Sequence, residues 1–463
     1  MSTHWPAGCA AVALVLTVAA VPGCSVEREH RAEERRLNVV LVTLDTTRAD
    51  RLSCYGHTIR TSPNIDALAD TGVRFEAATA QASLTPVSHA SIMTGLLPPN
   101  HGVRVMYAES GYRLSETIPT LATVLQERGW QTGAFLSAFP VSEFFGLDSG
   151  FDRLDNGIRD NVDDVMTERA SGEWGFDLAA NQRRSDRTTD LALDWLGEAH
   201  APFYLWVHLW DPHDRKLLPP DELLTEFLIE ESASANERNR AVYDAEIFYI
   251  DQQLGRLFDR LQALGHWEDT LVVVVADHGQ GLGDHDHWAH RLLYEEQIRV
   301  PLIVRVPGGP QQKVVREPVS TTDIYPTVLG ALEIELPGRV DGRDLGPLML
   351  GKGLPSRPIY AEALNGYDLS ASTMLRKRPQ DDILYALIDG VWKLIYRPNA
   401  PETSELYHLE EDPGEARNLF GEGVEQERRL VDALLEMDPF VEGPFGEAAD
   451  EEVLERLRSL GYL

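Results

Sequence analysis

Five short apolar runs, at residues 37–44, 131–138, 203–209, 271–276 and 302–306, alternate with amphipathic stretches and constrain the fold of this chain more than any other feature. Continuous apolar strands are what a sheet covered on both faces requires, and strands that alternate with helices pair in parallel. In the clearest helical stretch Ile247, Ile250, Leu254, Leu257, Phe258 and Leu261 recur at helical spacing, and Gly265 stops it. The predicted class is therefore α/β: a large, mainly parallel sheet between helices. From about residue 351 the rhythm changes. The runs 384–388 and 392–396 predict a small antiparallel hairpin layer in a C-terminal α+β subdomain, residues 451–460 a final helix, and the polar segment 156–187 an insertion loop. At 463 residues the chain is long enough for a large core with such a subdomain attached.

The N-terminus reads as an export signal. The apolar run 10–21 is too short to span a bilayer comfortably and ends in Val21-Pro22-Gly23-Cys24, which resembles the lipobox of bacterial prolipoproteins. The first residues include His4 but no Lys or Arg, so the usual cationic segment is missing. The expected organisation is a signal peptide at 1–24, a charged tether at 25–36, a catalytic domain at 37–350 and the subdomain at 351–463. An exported, periplasmic or cell-envelope lipoprotein held to a membrane by its lipid anchor follows from this. After processing only Cys54 would remain, leaving no intramolecular disulfide. Acidic residues outnumber basic ones 74 to 42, a formal charge of −32, so nucleic acid is discounted as a partner.

Polar residues follow three of the apolar runs directly. Asp45 follows the first, Asp211 and His213 the third, and Asp277-His278-Gly279 follow Val272 to Val275. In an open α/β sheet the carboxyl ends of the strands share one edge, where ligands bind. A lone Asp at such a place is commonly a helix cap. Adjacent Asp and His after four valines have no packing role, and acids and histidines at three strand ends point to a site.

Thr85 opens Thr85-Pro86-Val87-Ser88-His89-Ala90-Ser91-Ile92-Met93-Thr94-Gly95, which resembles the nucleophile segment of sulfatases in the alkaline phosphatase superfamily. The stretch from Leu44-Asp45-Thr46-Thr47-Arg48 to Tyr55-Gly56 resembles their first metal-binding strand end. Asp277-His278-Gly279-Gln280-Gly281, with Tyr294-Glu295-Glu296 and Arg299-Val300-Pro301 behind it, resembles the second. Glu405-Leu406-Tyr407-His408-Leu409 and Asp412-Pro413-Gly414-Glu415 are similar to the family's C-terminal segment. The resemblance runs in order from about Asn38 to the C-terminus. It implies an alkaline phosphatase/sulfatase-like fold and a divalent cation (Ca, Mg, Mn or Zn) held by Asp45, Thr85, Asp277 and His278. Asp211, His213 and His290 could complete a second metal site, as in the two-zinc phosphodiesterases of the superfamily.

The departures from the family pattern carry most of the functional reading. Thr85 stands where a sulfatase has the Cys or Ser that is oxidised to formylglycine. Thr46 stands at a second Asp, His89 at an Arg, Met106 at an Asn, and His290 where many sulfatases place Lys. The resemblance assigns His213 to the leaving group, where an imidazole can act as general acid near neutral pH, and His89 and His290 to substrate contacts. A formylglycine hydrate expels sulfate through its second hydroxyl; Thr85 has one. A phosphorylated Thr can instead be cleaved in line by water, so phosphate or phosphonate esters are favoured over sulfate. The expected substrate is a small-molecule or glycan or lipid-headgroup ester. Alternatives are a sulfuric ester hydrolase, a phosphoethanolamine or glycerophosphate transferase, and an inactive binding lipoprotein.

Overall fold

A computed structural model describes residues 36–156, 182–213, 218–227 and 233–440. The signal, its lipobox-like end, the tether up to residue 35, residues 157–181 of the expected insertion and the expected helix at 451–460 lie outside them. No helix among the described residues is long and apolar enough to cross a membrane.

Nine strands form the main sheet: β1 (Asn38–Leu44), β2 (Val73–Thr79), β3 (Gln131–Leu136), β4 (Arg153–Asp155), β5 (Phe203–Leu209), β6 (Thr270–Ala276), β7 (Arg299–Arg305), β8 (Lys313–Val315) and β9 (Val319–Ser320). Their order is β4-β3-β5-β1-β6-β7-β2-β8, with β9 beside β2. All pairings are parallel except those of β7, which runs against both β6 and β2. The mainly parallel expectation holds, and each of the five apolar runs lies on a strand. Every residue of β1, β5 and β6 is buried, which is why these strands read as unbroken apolar runs. β2 was not legible: its inside-outside alternation fails at a register shift between Phe75 and Ala78.

Helices flank the sheet. The longest, Ala235–Ala263, buries Ile247, Ile250, Leu254, Leu257, Phe258 and Leu261, and the chain turns away at Gly265 with φ +74°. It packs with the helices Pro63–Asp70 and Ser185–Leu196, while Thr85–Thr94 packs with Leu121–Glu127 and Ile324–Ala331. The end of the predicted insertion is a correction: Gln182 bridges to Ala138 and Ser185 begins a helix, because the Asp211 carboxylate accepts the Ser185 N–H at 3.0 Å.

The C-terminal part contains a second, antiparallel sheet of β10 (Ile359–Ala363), β11 (Leu384–Asp389), β12 (Trp392–Tyr396) and β13 (Glu405–His408) in that order. The predicted hairpin is β11 with β12, closed by Gly390 at φ +62° and Val391 between the paired Asp389 and Trp392. One apolar cluster joins this sheet to Leu430 and Leu434 of the helix Glu425–Met437. Another joins it to Leu292, Leu293, Tyr294 and Ile298, the segment behind the Asp277 motif. Lys393 of β12, wholly buried, reaches Glu295 at 2.9 Å and Glu415 at 2.8 Å. The small sheet thus fixes the loop that follows the second motif.

Candidate active site

β1 and β6 are neighbours in register, Leu44 beside Ala276, so their next residues emerge side by side. Those residues are Asp45 and Asp277. The backbone N–H of Asp45 donates to Leu209 of β5, and that of Asp277 to Leu44, which prolongs the ladder by one step past the strand ends. The helix Thr85–Thr94 begins at the same edge, with Thr85 first and Pro86 second, and closes on Gly95 at φ +69°. The Thr85 hydroxyl lies 3.4 Å from Asp45 Oδ2 and 3.2 Å from His278 Nε2. Three sequence-distant segments therefore meet at one oxygen.

The hydrogen bonds in this cluster leave a specific set of atoms bare. Asp277 Oδ1 accepts from the backbone N–H of Thr46 at 3.1 Å and of His278 at 2.7 Å; its Oδ2 has no hydrogen-bond partner. Asp45 Oδ2 faces Thr85 and His208, while Oδ1 has no partner. His278 Nδ1 donates to the Gly279 carbonyl at 2.9 Å, so in the neutral ring Nε2 carries the lone pair that faces the cluster. Asp45, Asp277 and His278 are the one group among the described residues with acid and imidazole ligand atoms close enough for a metal, all within 4.8 Å of one another. All three are fully buried. Burial raises the Asp45 carboxyl from 3.8 to about 7, and burial together with Asp45 raises that of Asp277. Two buried carboxylates with one bare oxygen each, beside a preset imidazole, fit a divalent cation that supplies the missing charge. Thr46 Oγ1 is also buried without a partner, in a residue at φ +48° whose carbonyl accepts from Tyr243.

Of the other predicted residues, His213 and His290 come together: their Nε2 atoms are 3.3 Å apart. His290 Nδ1 donates to the Ser83 carbonyl at 2.9 Å, which leaves its Nε2 as acceptor and assigns the shared proton to His213. The His213 ring stacks on Trp210 at 3.8 Å, and the His290 ring lies 4.7 Å from His278. Burial, with the neighbouring His278 and His208, pulls His213 down to about 3, and His290 falls well below its ordinary value for the same first reason. Burial therefore favours the neutral form of both rings in the free protein. Asp211 does not join them. Its carboxylate is taken by Ser185 N–H and Oγ, the latter at 2.9 Å, and Asp211, His213 and His290 do not form a metal-ligand group among the described residues, the option raised for a second metal.

His89 is fully buried behind Thr85. Its Nδ1 donates to the Thr85 carbonyl at 2.8 Å and lies 3.6 Å from Asp277 Oδ2. Met106 packs its side chain on the main core and donates its N–H to Asp368 at 2.8 Å. Two residues at the site were missed. His208, buried in β5, places Nε2 3.3 Å from Asp45 Oδ2. Arg48 clamps Asp50 at 2.7 Å and Asp284 at 2.6 Å, tying the loop after Asp45 to the loop after Asp277. The one signal for His208 is a lone polar residue inside an apolar strand.

Comparison with known proteins gives the family. The sulfatase family model matches residues 37–334, which hold every residue of the site. A second model, the C-terminal part of N-sulphoglucosamine sulphohydrolase, matches residues 283–437. An N-acetylglucosamine-6-O-sulfatase of Bacteroides thetaiotaomicron is 23% identical over 91% of this chain and 90% of its own. Human arylsulfatase A is 28% identical over 84% of each. The crystal structure of a phosphonate monoester hydrolase of Agrobacterium radiobacter shares the fold with a TM-score of 0.68 and 23% identity, covering 87% of this chain and 95% of that one. With more than half of the chain matched in one stretch that contains the buried acid–histidine cluster, this protein belongs to the sulfatase family of metal-using ester hydrolases.

Proposed function

We propose that this protein hydrolyses monoanionic phosphoric or phosphonic esters, diesters or phosphonate monoesters, through Thr85 as a covalent nucleophile. The observation that carries this reading is the Thr85 hydroxyl at 3.2 Å from His278 Nε2 and 3.4 Å from Asp45 Oδ2, with bare carboxylate oxygens beside it. When bound, a divalent cation at Asp45, Asp277 and His278 would lower the pKa of the hydroxyl and neutralise a nonbridging oxygen of the ester. The Thr85 oxygen attacks phosphorus and the bond to the leaving oxygen breaks. The His213 Nε2–H, which in the free protein points at His290, donates a hydrogen bond to that oxygen, which takes up the proton given up by the Thr85 hydroxyl and leaves as the alcohol. Water then attacks phosphorus in line and releases Thr85. A sulfated Thr85 lacks the second hydroxyl that lets a formylglycine enzyme eliminate sulfate.

The choice of monoanionic esters rests on charge. Arg48 is held by Asp50 and Asp284, Arg104 by Glu362 and Arg291 by Asp368, and histidines occupy positions 89 and 290. Each of these three guanidinium groups already faces a carboxylate, which favours a single negative charge on the transferred group. The name of the Bacteroides relative supports a glycan as the leaving alcohol, and that of the Agrobacterium enzyme supports phosphorus as the reacting centre. Export through the 1–24 signal and anchoring at Cys24 fit an enzyme that meets such esters outside the cytoplasm. The test is rapid quench of the protein with an aryl phosphonate, followed by peptide mass analysis. A phosphonyl adduct on Thr85 that decays at the turnover rate is expected; turnover with no adduct, or with an adduct elsewhere, would contradict the mechanism.

A further inference from the structure

His208 occupies an expensive position. It lies in the apolar strand Phe203-Tyr204-Leu205-Trp206-Val207-His208-Leu209, beside Thr43 of β1, with no solvent exposure. Its Nδ1 is buried and has no hydrogen-bond partner, while its Nε2 is 3.3 Å from Asp45 Oδ2. Burying an imidazole with one nitrogen unsatisfied costs free energy that an apolar residue in the same strand would not. The ring is held by its neighbours: it meets His89 edge-on at 5.2 Å and Trp210 at 6.1 Å. Trp206 on the same strand is tied to β1 through its indole N–H and Thr43 Oγ1 at 3.0 Å.

In the ionised form that a cation requires, the Asp45 oxygen only accepts, so its contact with His208 calls for the proton on Nε2. That donor engages Oδ2, and Asp45 Oδ1, like Asp277 Oδ2, is left bare. We propose that His208 is a positioning residue for the metal centre: its Nε2–H fixes the rotation of the Asp45 carboxylate so that Oδ1 is presented to the cation. The inference rests on the reading of Asp45 as a ligand. Donors behind a ligand typically change metal affinity by ~10 to 100-fold. A residue that only filled space would not change it.

Glutamine can place an amide N–H where imidazole Nε2 stands, whereas asparagine falls short of that point. The test uses the exported chain without residues 1–24 and titrates it with Ca, Mg, Mn and Zn by calorimetry, alongside the melting temperature of the metal-free protein. His208→Asn is expected to weaken the tightest cation by ~10 to 100-fold and His208→Gln to stay within ~3-fold of wild type. Both variants should melt near one another without metal, since both carry an amide in the strand. Equal affinity in His208→Asn and wild type would overturn the assignment, as would equal losses in both variants. A wild-type protein that binds none of the four cations would instead overturn the metal reading itself, and this inference with it.

Discussion

Thr85 has one hydroxyl, and its surroundings determine what that hydroxyl can do. Replacing it with Ala is expected to lower kcat/KM by ~10⁴-fold or more in an ester assay, with the melting temperature little changed. Asp277→Asn removes one of two adjacent buried carboxylates. Bound metal and activity should fall together by elemental analysis and assay, while the metal-free protein melts at the same temperature or higher. The sign of the pH effect follows from Asp45. Its folded carboxyl is raised from 3.8 to about 7, so in metal-free protein its contribution to stability is full below about 4 and is lost as pH rises towards 7. A cation must displace that proton below pH 7. The rise in melting temperature on adding metal should therefore be larger at pH 8 than at pH 5. At this scale the sequence was informative where polar residues follow apolar runs: Asp45, Asp277 and His278 could be read directly. His208 could not, because inside a strand a single histidine looks the same whether it fills space or orients a carboxylate. Nor could the pairing of His213 with His290, which depends on a carbonyl at Ser83 from another segment.

At the scale of elements, the site is a set of chain ends held by close packing. A Cβ added at Gly279 would lie 2.1 Å from the Glu296 carbonyl oxygen and 3.3 Å from Arg48 Cγ. Backbone cannot yield by that much, so Gly279→Ala should shift the turn after β6, abolish metal binding measured by calorimetry and lower the melting temperature. Lys393 holds Glu295 and Glu415 together with no access to water. Lys393→Ala leaves the buried Glu415 carboxylate and the half-buried Glu295 without their cation and should cost ~3 kcal/mol in denaturant unfolding. Strands buried on both faces were legible because nearly all of their residues are apolar, His208 in β5 and Asn38 at the start of β1 being exceptions. β2 was obscured by its register shift, and β10 by having its partners nearby only in the folded chain. The role of Asp211 was left open for a related reason: an acid after a strand can serve a neighbouring helix start, and Ser185 is distant in sequence.

For the whole molecule, the main sheet supplies the edge, and the small C-terminal sheet supports the loop that carries the second motif. The long apolar runs set the class of fold, and the motifs set the family. On the proposed mechanism the chemistry depends on Thr85, whose single hydroxyl favours phosphorus over sulfur as the centre attacked. The most direct test is a parallel turnover panel on one metal-assayed sample, with an aryl sulfate, an aryl phosphate monoester, a phosphodiester and a phosphonate monoester. The account predicts that the diester or phosphonate has the highest kcat/KM, with sulfate and the dianionic monoester at least ~10-fold lower. Efficient multiple turnover of the aryl sulfate with no activity on phosphorus esters would contradict it.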